Sequence, residues 1–407
     1  METWKRNLWL LWAGCFVTSA SYSMVVPFLP LFLPQIGVHE HTETWSGLLF
    51  SAAFFAGAIS SPYWGSVADK YGRKPMIIRA GFVLAVVYTL TAFVTNPYQL
   101  LALRITQGLL SGFIPGAIAL VGTNTPETKV GYALSMMSTS TATGNIMGPL
   151  IGGMIARFVN NRMAFASAGI MVFLVTFIVI LWVKEERFVP AKTRSSVVDA
   201  LKIAAGNRSL MNVLLLTMLT SLSIMTIEPL LSLYVEDMVG PSKNTSILAG
   251  LIFSLSGFAA IFFAPRWGKR ADKVGFRKVL LIGLIFGGLW TLAQIPFPNI
   301  WGFSILRFVY GAFFCAVFPA LNGLVVRSTA EDFRGRAFGL NQTANQIGGV
   351  LGPMLGGYVG EIGSIHTVFW ATGLLLLASA GMAYWNGLGR PVQPANEPVQ
   401  AKKALHP

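Results

Sequence analysis

GSVADKYGRK (residues 65–74) and GKRADKVGFRK (268–278) are two copies of one pattern: Gly65, Ala68, Asp69, Lys70 and Gly72 recur 203 residues later as Gly268, Ala271, Asp272, Lys273 and Gly275. The register continues outward from there. LRITQG (103–108) matches LRFVYG (306–311), pairing Arg104 with Arg307 and Gly108 with Gly311, while TPETKVGYAL (125–134) and GNIMGPLIGG (144–153) match TAEDFRGRAF (329–338) and GGVLGPMLGG (348–357) at an offset of 204. Pro27 and Pro229 correspond at 202. Four blocks in one order at nearly one separation make the chain two homologous halves, and a repeat of this length fixes the architecture before any single motif is weighed.

The residues between the blocks say where each half resides. Of 407 residues 54% are hydrophobic and 11% charged, with a mean hydropathy of +0.62, well to the apolar side of a soluble domain. Twelve apolar runs, the first at 8–33 and the last at 367–387, reach the length that crosses a hydrocarbon core of about 30 Å. The short alternating segments of a closed barrel are missing. Lys5, Arg6 and the apolar run behind them have the outline of a secretory signal, but Pro27, Pro30 and Pro34 and the eleven further runs argue against cleavage. The expected fold is therefore all-α and integral to the membrane: residues 1–188 form a six-helix bundle, 189–208 a polar cytoplasmic linker, 209–389 a second six-helix bundle and 390–407 a cytoplasmic tail.

A net charge of +14 might point to nucleic acid, yet its distribution points to the bilayer. With the N-terminus in the cytoplasm, 25 of the 30 Lys and Arg fall in cytoplasmic segments, Arg157, Arg162 and Lys243 fall outside, and Arg104 and Arg307 lie within spans. That asymmetry sets topology and contact with anionic lipid. Both termini are then cytoplasmic. Cys15 and Cys315 are too far apart for a disulfide framework, and His39-Glu40-His41 reads as a solvated loop rather than a metal site. No cofactor is called for, and without a Ser-His-Asp set or an intramembrane histidine, enzymatic catalysis is the least favoured reading.

An even number of spans per half keeps both halves in one orientation, so the repeat axis runs along the membrane normal and a cavity forms where the halves meet. This is an arrangement for alternating access. GSVADKYGRK, Arg104 with Gln107 and Gly108, and GNIMGPLIGG resemble three signature motifs of the major facilitator superfamily. Together with WKRNLWLLWAGCF and VVPFLPLF, they make the chain similar to twelve-span bacterial drug:proton antiporters of the multidrug-resistance type. The resemblance covers nearly the whole chain and implies a monomer in the bacterial cytoplasmic membrane that exchanges protons for a small-molecule substrate. For such a protein the activity is multidrug efflux, hence antibiotic resistance. Export of one specific metabolite or siderophore is the rival within transport, and a receptor or sensor the rival outside it.

The resemblance also distributes roles. Gly65, Asp69, Gly72 and Arg73, with Asp272 in the second copy, form a cytoplasmic gate in which Asp69 docks on the start of the eleventh span near Arg336, and Arg73 pairs an acid at the end of the fourth. Glu127 is the candidate, and Glu331 is its repeat partner. Arg104, an intramembrane cation that needs a partner or a wet cavity, is implied in proton coupling; bonding backbone carbonyls of neighbouring helices is the other reading its position allows, and the favoured one for Arg307. Gly144, Gly148 and Gly152 lie on one face of the fifth helix, bent by Pro149, for close approach to a neighbour expected to be the eighth helix. Asn341, Gln342, Asn345 and Gln346, with Met136, Met137, Phe28, Phe32 and Tyr234, are expected to line a roomy, mostly apolar cavity.

One acid stands apart. In TIEPLL (226–231) Glu228 lies inside an apolar run, the only carboxylate with no loop to occupy, and its repeat partner is Val26. Counting from Ser209 places it about 28 Å along its helix, in the outer part of the span. It is the candidate proton site, with a hydrated outer vestibule as the alternative surroundings.

Overall fold

In a computed structural model, residues 2–185, 197–240, 243–297, 299–330 and 333–386 are described; the side chains of Asp69, 197–200 and 243 are not among the described atoms. The described residues are helical almost throughout. Span 1 (Thr3–Val25) bends at Pro27 and continues as Phe28–Phe32. Span 2 (Thr42–Tyr71), span 3 (Arg73–Thr91), span 4 (Pro97–Leu110, then Phe113–Asn124), span 5 (Val130–Phe158) and span 6 (Asn161–Trp182) complete the first set. After a short helix, Val197–Gly206, come span 7 (Arg208–Ile227, a turn Glu228–Leu230, then Leu231–Val239), span 8 (Lys243–Val274), span 9 (Phe276–Ala293), span 10 (Ile300–Phe314 and Val317–Arg327), span 11 (Arg334–Ile362) and span 12 (Ile365–Trp385).

Ten of these stretches are long and apolar enough to cross a membrane by composition alone; spans 5 and 11 are not among them. Those two carry the hydroxyl run SMMSTSTATGN and the amide run LNQTANQIGG. Their low hydropathy fits helices whose polar side chains face other helices or a cavity rather than lipid.

Local chemistry sets several helix ends, and one cap recurs in both halves. Asn96 and Asn299, one repeat apart, cap spans 4 and 10 by accepting from the Gln99 and Gly302 N–H groups, and Asn160 and Asn207 cap spans 6 and 7. Each satisfies a donor that the first turn leaves free. Between spans 2 and 3 the chain reverses at a single residue, Gly72 at φ 98°, and between spans 8 and 9 at Gly275, φ 95°. Only glycine takes that backbone without strain. Gly65, grouped with Gly72 in the gate motif, lies inside span 2 and takes no part in the reversal.

Buried apolar side chains form one cluster running from Leu8 to Val183 and two others from Ala204 onward. Among the described residues no cluster mixes the first six spans with the last six. Contacts across the middle are made instead by glycine-rich backbone, spans 2 on 11 and 5 on 8.

Candidate substrate cavity and coupling residues

The four crossing helices are tight at one end and apart at the other. On the side of the Glu40–Glu43 segment, a Cβ at Gly47 would lie 2.2 Å from the Pro353 carbonyl oxygen, and one at Gly250 would lie 2.2 Å from that of Pro149. Ser51 donates to the Val350 carbonyl (2.7 Å) and Ser254 to that of Ile146 (2.6 Å), while the Glu361 carboxylate meets the His41 ring and accepts from the Thr44 hydroxyl. On the opposite, basic side, a Cβ at Gly65, Gly131, Gly268, Gly335 or Gly339 would meet nothing within 4 Å. These are the same four helices, jammed at one end and free at the other.

A cavity of about 560 Å³ occupies the parted side and reaches the level of Gly65, Ala68 and Arg73. Its wall is mostly first-half: Tyr22 from span 1, Phe54 and Trp64 from span 2, Arg79 and Tyr88 from span 3, Gln107 and the Ser111–Gly112 break from span 4. The second half contributes Gln342, Asn345 and Gln346. Asn341 turns away, bonded to Thr217 (2.7 Å) and Asn322 (3.1 Å), and Asn345 also accepts from Ser221.

Several expected wall residues are in the cores instead. Phe28, Phe32, Met137 and Tyr234 are fully buried: Phe32 meets Phe165 edge-on, and Tyr234 sits among Phe303, Phe369 and His366. Met136 is half-buried against the first core. Helix rotation, not composition, decides which side faces the cavity.

The motif of span 5 also turns differently from expectation. Cβ atoms on Gly144, Gly148 and Gly152 would strike Phe16, Ala20 and Met24 of span 1, so that face packs within its own half, and span 11 repeats it on span 7 with Gly348, Gly352 and Gly356. Contact with span 8 is made by the adjacent face: Ile146, Pro149 and Gly153.

In the gate loop, Arg73 does not pair with Glu127, which is exposed. Its guanidinium donates to the Ala119 carbonyl and the Thr123 hydroxyl (2.8 Å). The acid present is Glu185, which accepts from the N–H groups of Arg73 and Lys74, both at 2.9 Å, where a carboxylate complements the positive end of span 3. Asp272 is exposed and Arg336 lies over the Phe333 ring. The Asp69 side chain and Glu331 fall outside what is described.

Arg104 and Arg307 are each 6% exposed. Arg104 donates to Gln107 (2.8 Å), whose amide donates to the Tyr88 hydroxyl (3.1 Å), and Arg307 lies over the Tyr310 ring. Glu228 opens the turn in mid-span 7, half-buried. It forms no ion pair among the described residues, yet lies within electrostatic reach of Arg307, Tyr310 and Tyr22. Tyr22 is also within reach of Arg104. The turn itself packs on spans 2 and 11, the pair that seals the tight end.

Arg79 escaped the sequence reading, which counted it among loop cations. It lies inside span 3 and donates to the carbonyls of Leu110 (3.2 Å) and Ser111 (2.9 Å), where span 4 breaks. The Trp64 ring covers its guanidinium at 3.4 Å and itself donates to the Leu109 carbonyl (2.7 Å). The available signal was the repeat: its partner is the aliphatic Ile282.

Two helical bundles joined across a mostly apolar cavity that is sealed at one end define a membrane transporter of the alternating-access kind. A sequence profile of the Major Facilitator Superfamily matches residues 11–242 and 213–406, and the chain belongs to that family. It is 37% identical over 395 residues to multidrug resistance protein MdtG of Rahnella sp. (strain Y9602), covering 96% of this chain and 95% of that protein. To MdtG of Serratia proteamaculans (strain 568) it is 36% identical over 403 residues, 98% and 97% of the two chains. Among solved structures, a mutant of the nucleoside transporter NupG superposes with a TM-score of 0.80 at 15% identity over 94% of this chain and 100% of that one. A bacterial homologue of the human lysosomal transporter Spinster, inward-facing and occupied, gives 0.79 at 13% over 97% and 100%. The chain is a multi-pass membrane protein.

Proposed function

We propose that this protein exports lipophilic or amphiphilic drugs from the bacterial cytoplasm in exchange for protons, working as a monomer in the cytoplasmic membrane with both termini inside. The kinship with multidrug resistance proteins over nearly the full length supports the substrate class. The observation that carries the mechanism is the contrast along the four crossing helices. Glycines that are jammed at the outer end have counterparts on the same helices at the basic end with open space before them. Residues 1–188 and 209–389, tilting as two bodies about the cavity, would exchange those contacts: the free glycines close the inner mouth as the outer seal parts.

Coupling needs one group whose protonation biases the two states. Glu228 fits this role. Its turn bears on the helices of the outer seal, and Arg307 holds it electrostatically while it is ionised. A proton arriving from outside removes that attraction and with it one tie between span 7 and span 10. Arg104, one side chain behind the cavity wall, supplies a fixed positive charge within electrostatic reach of Tyr22.

The test is transport in proteoliposomes under an imposed pH gradient, with several dyes. The gradient should drive dye movement in the native protein. Glu228→Gln should fold, bind dye and lose gradient-driven movement; unchanged movement would reject Glu228 as the proton site.

A further inference from the structure

Among the described residues the charges on the cavity wall are of one sign. Among its described lining residues the charged side chains are Arg73 and Arg79, with no carboxylate. Arg104 adds a third positive charge behind Gln107. The acid of the central region, Glu228, is not on this wall and lies toward Arg307 of the other half.

Arg79 is the least compensated of the wall cations. Arg73 spends its guanidinium on the Ala119 carbonyl and the Thr123 hydroxyl, whereas in Arg79 one nitrogen serves two carbonyls while Nε and Nη1 are buried without a partner. No described acid pairs with it. A cation inside a span without a counter-charge is costly, and an anion held in the cavity would lower that cost by through-space attraction to the guanidinium. The surroundings suit the rest of such a ligand. Trp64 provides a flat apolar face over the guanidinium, and Phe54, Met76 and Phe113 line the same space. Span 4 restarts at Gly112 (φ 130°) with Phe113 and Ile114 on the wall, so the positive end of that half-helix adds to the field.

We infer that the cavity selects amphiphiles bearing an anionic group, carboxylate-, sulfonate- or phosphate-like, and that Arg79 is the residue that binds it. This rests on the export reading for its biological meaning, but its test does not. Amides from span 11, Gln342 and Asn345, face this wall from the other half and can donate to the same group.

The experiment is equilibrium binding of two probes to the full-length protein in detergent. Anilinonaphthalene sulfonate and phenylnaphthylamine share one aromatic body and differ by the sulfonate. A charge-assisted contact of ordinary strength predicts about tenfold tighter binding of the sulfonate probe. Arg79→Gln should erase that preference and leave phenylnaphthylamine binding unchanged, and Arg79→Lys should retain most of it. Trp267→Phe, which removes the equivalent indole bond at the break in span 10 and lies off the cavity lining, should keep the preference and serves as the control for structural damage.

Equal affinity of the native protein for both probes would overturn the inference, as would an Arg79→Gln variant that weakens both alike. If the sulfonate preference holds but no pH gradient moves either probe in proteoliposomes, the export reading fails and the anion site stands.

Discussion

The two halves are copies in backbone but differ in the lone charged residues each keeps inside its spans. Each has a first span kinked at proline, an arginine buried at the same step of its fourth helix, and a tryptophan, Trp64 or Trp267, donating to the carbonyl of Leu109 or Ala312. Yet Arg79 faces the cavity where the second half has Ile282, and Glu228 stands where the first half has Val26. What repeats is what the scaffold needs: caps, turns and glycine contacts. What does not repeat is a cation on the cavity wall in the first half and an acid off that wall, near Arg307, in the second. In a duplicated fold, the departures from symmetry point to chemistry more sharply than the motifs do.

That comparison breaks most strongly where the same glycine register meets different neighbours. A Cβ at Gly356 would lie 1.9 Å from the Thr226 carbonyl oxygen, rigid backbone two residues before Glu228, whereas one at Gly152 would meet side chains first, Met24 Cγ at 2.3 Å and the buried Phe28 ring at 2.6 Å. Those side chains can repack in part; the Thr226 carbonyl moves only with span 7. Gly356→Ala is expected to cost about 3 kcal/mol and Gly152→Ala about 1 kcal/mol, within the range for overpacked sites, read from thermal unfolding in detergent. Gly356→Ala should also impair pH-driven transport in the protein that remains folded, because it displaces the Glu228 turn. Equal losses at the two sites would mean that span 7 yields as readily as a side chain.

Much of the scaffold is legible in the sequence because bilayer length, repeat offset and basic loops are one-dimensional signals. The turn at Gly72 and the paired caps Asn96 and Asn299 follow from residue type and position. The cavity wall is less legible. Phe28, Phe32, Met137 and Tyr234 have the composition of a drug pocket and yet fill the cores, since which side of a helix faces inward is set by its rotation against neighbours. Spans 5 and 11 illustrate the same limit: the glycine stripe was visible, but its partner, span 1 or span 7 within the same half, was not. Arg79 was hidden by its basic neighbours Arg73 and Lys74, which made the start of span 3 look like loop. Glu185, whose carboxylate caps that helix, was hidden in the run KEER for the same reason.

A smaller effect should separate the two tryptophans. In the first half the break in span 4 is held by both Trp64 and Arg79, but in the second the Trp267 hydrogen bond to Ala312 (2.8 Å) is joined by no described arginine bond to the span 10 break, Arg266 donating instead to Phe262 of its own helix. Replacing either indole by phenylalanine removes one hydrogen bond, about 1 kcal/mol. Trp267→Phe is expected to show that full cost in thermal unfolding and Trp64→Phe less, since Arg79 continues to hold the neighbouring carbonyls. The reverse order would show that Arg79 gives the break no support of its own.

The smallest effect lies at the outer seal, where the halves also differ. Glu361 binds His41 and Thr44 across the interface, while its repeat partner Arg157 rests on the Phe158 ring of its own helix. These side chains are exposed enough that solvent screens the pair, so Glu361→Gln should change global stability by about 0.5 kcal/mol or less. The seal below it rests on backbone contacts at Gly47 and Gly250, which the substitution leaves in place. A local measurement is therefore the sensitive one: with Cys15 and Cys315 replaced by serine, a Ser46→Cys probe at the buried start of span 2 should react a few-fold faster with a membrane-impermeant maleimide when Glu361 is glutamine. An unchanged rate would mean that glycine packing alone keeps the outer end shut, and that the carboxylate is an ornament of one half rather than a tie between the two.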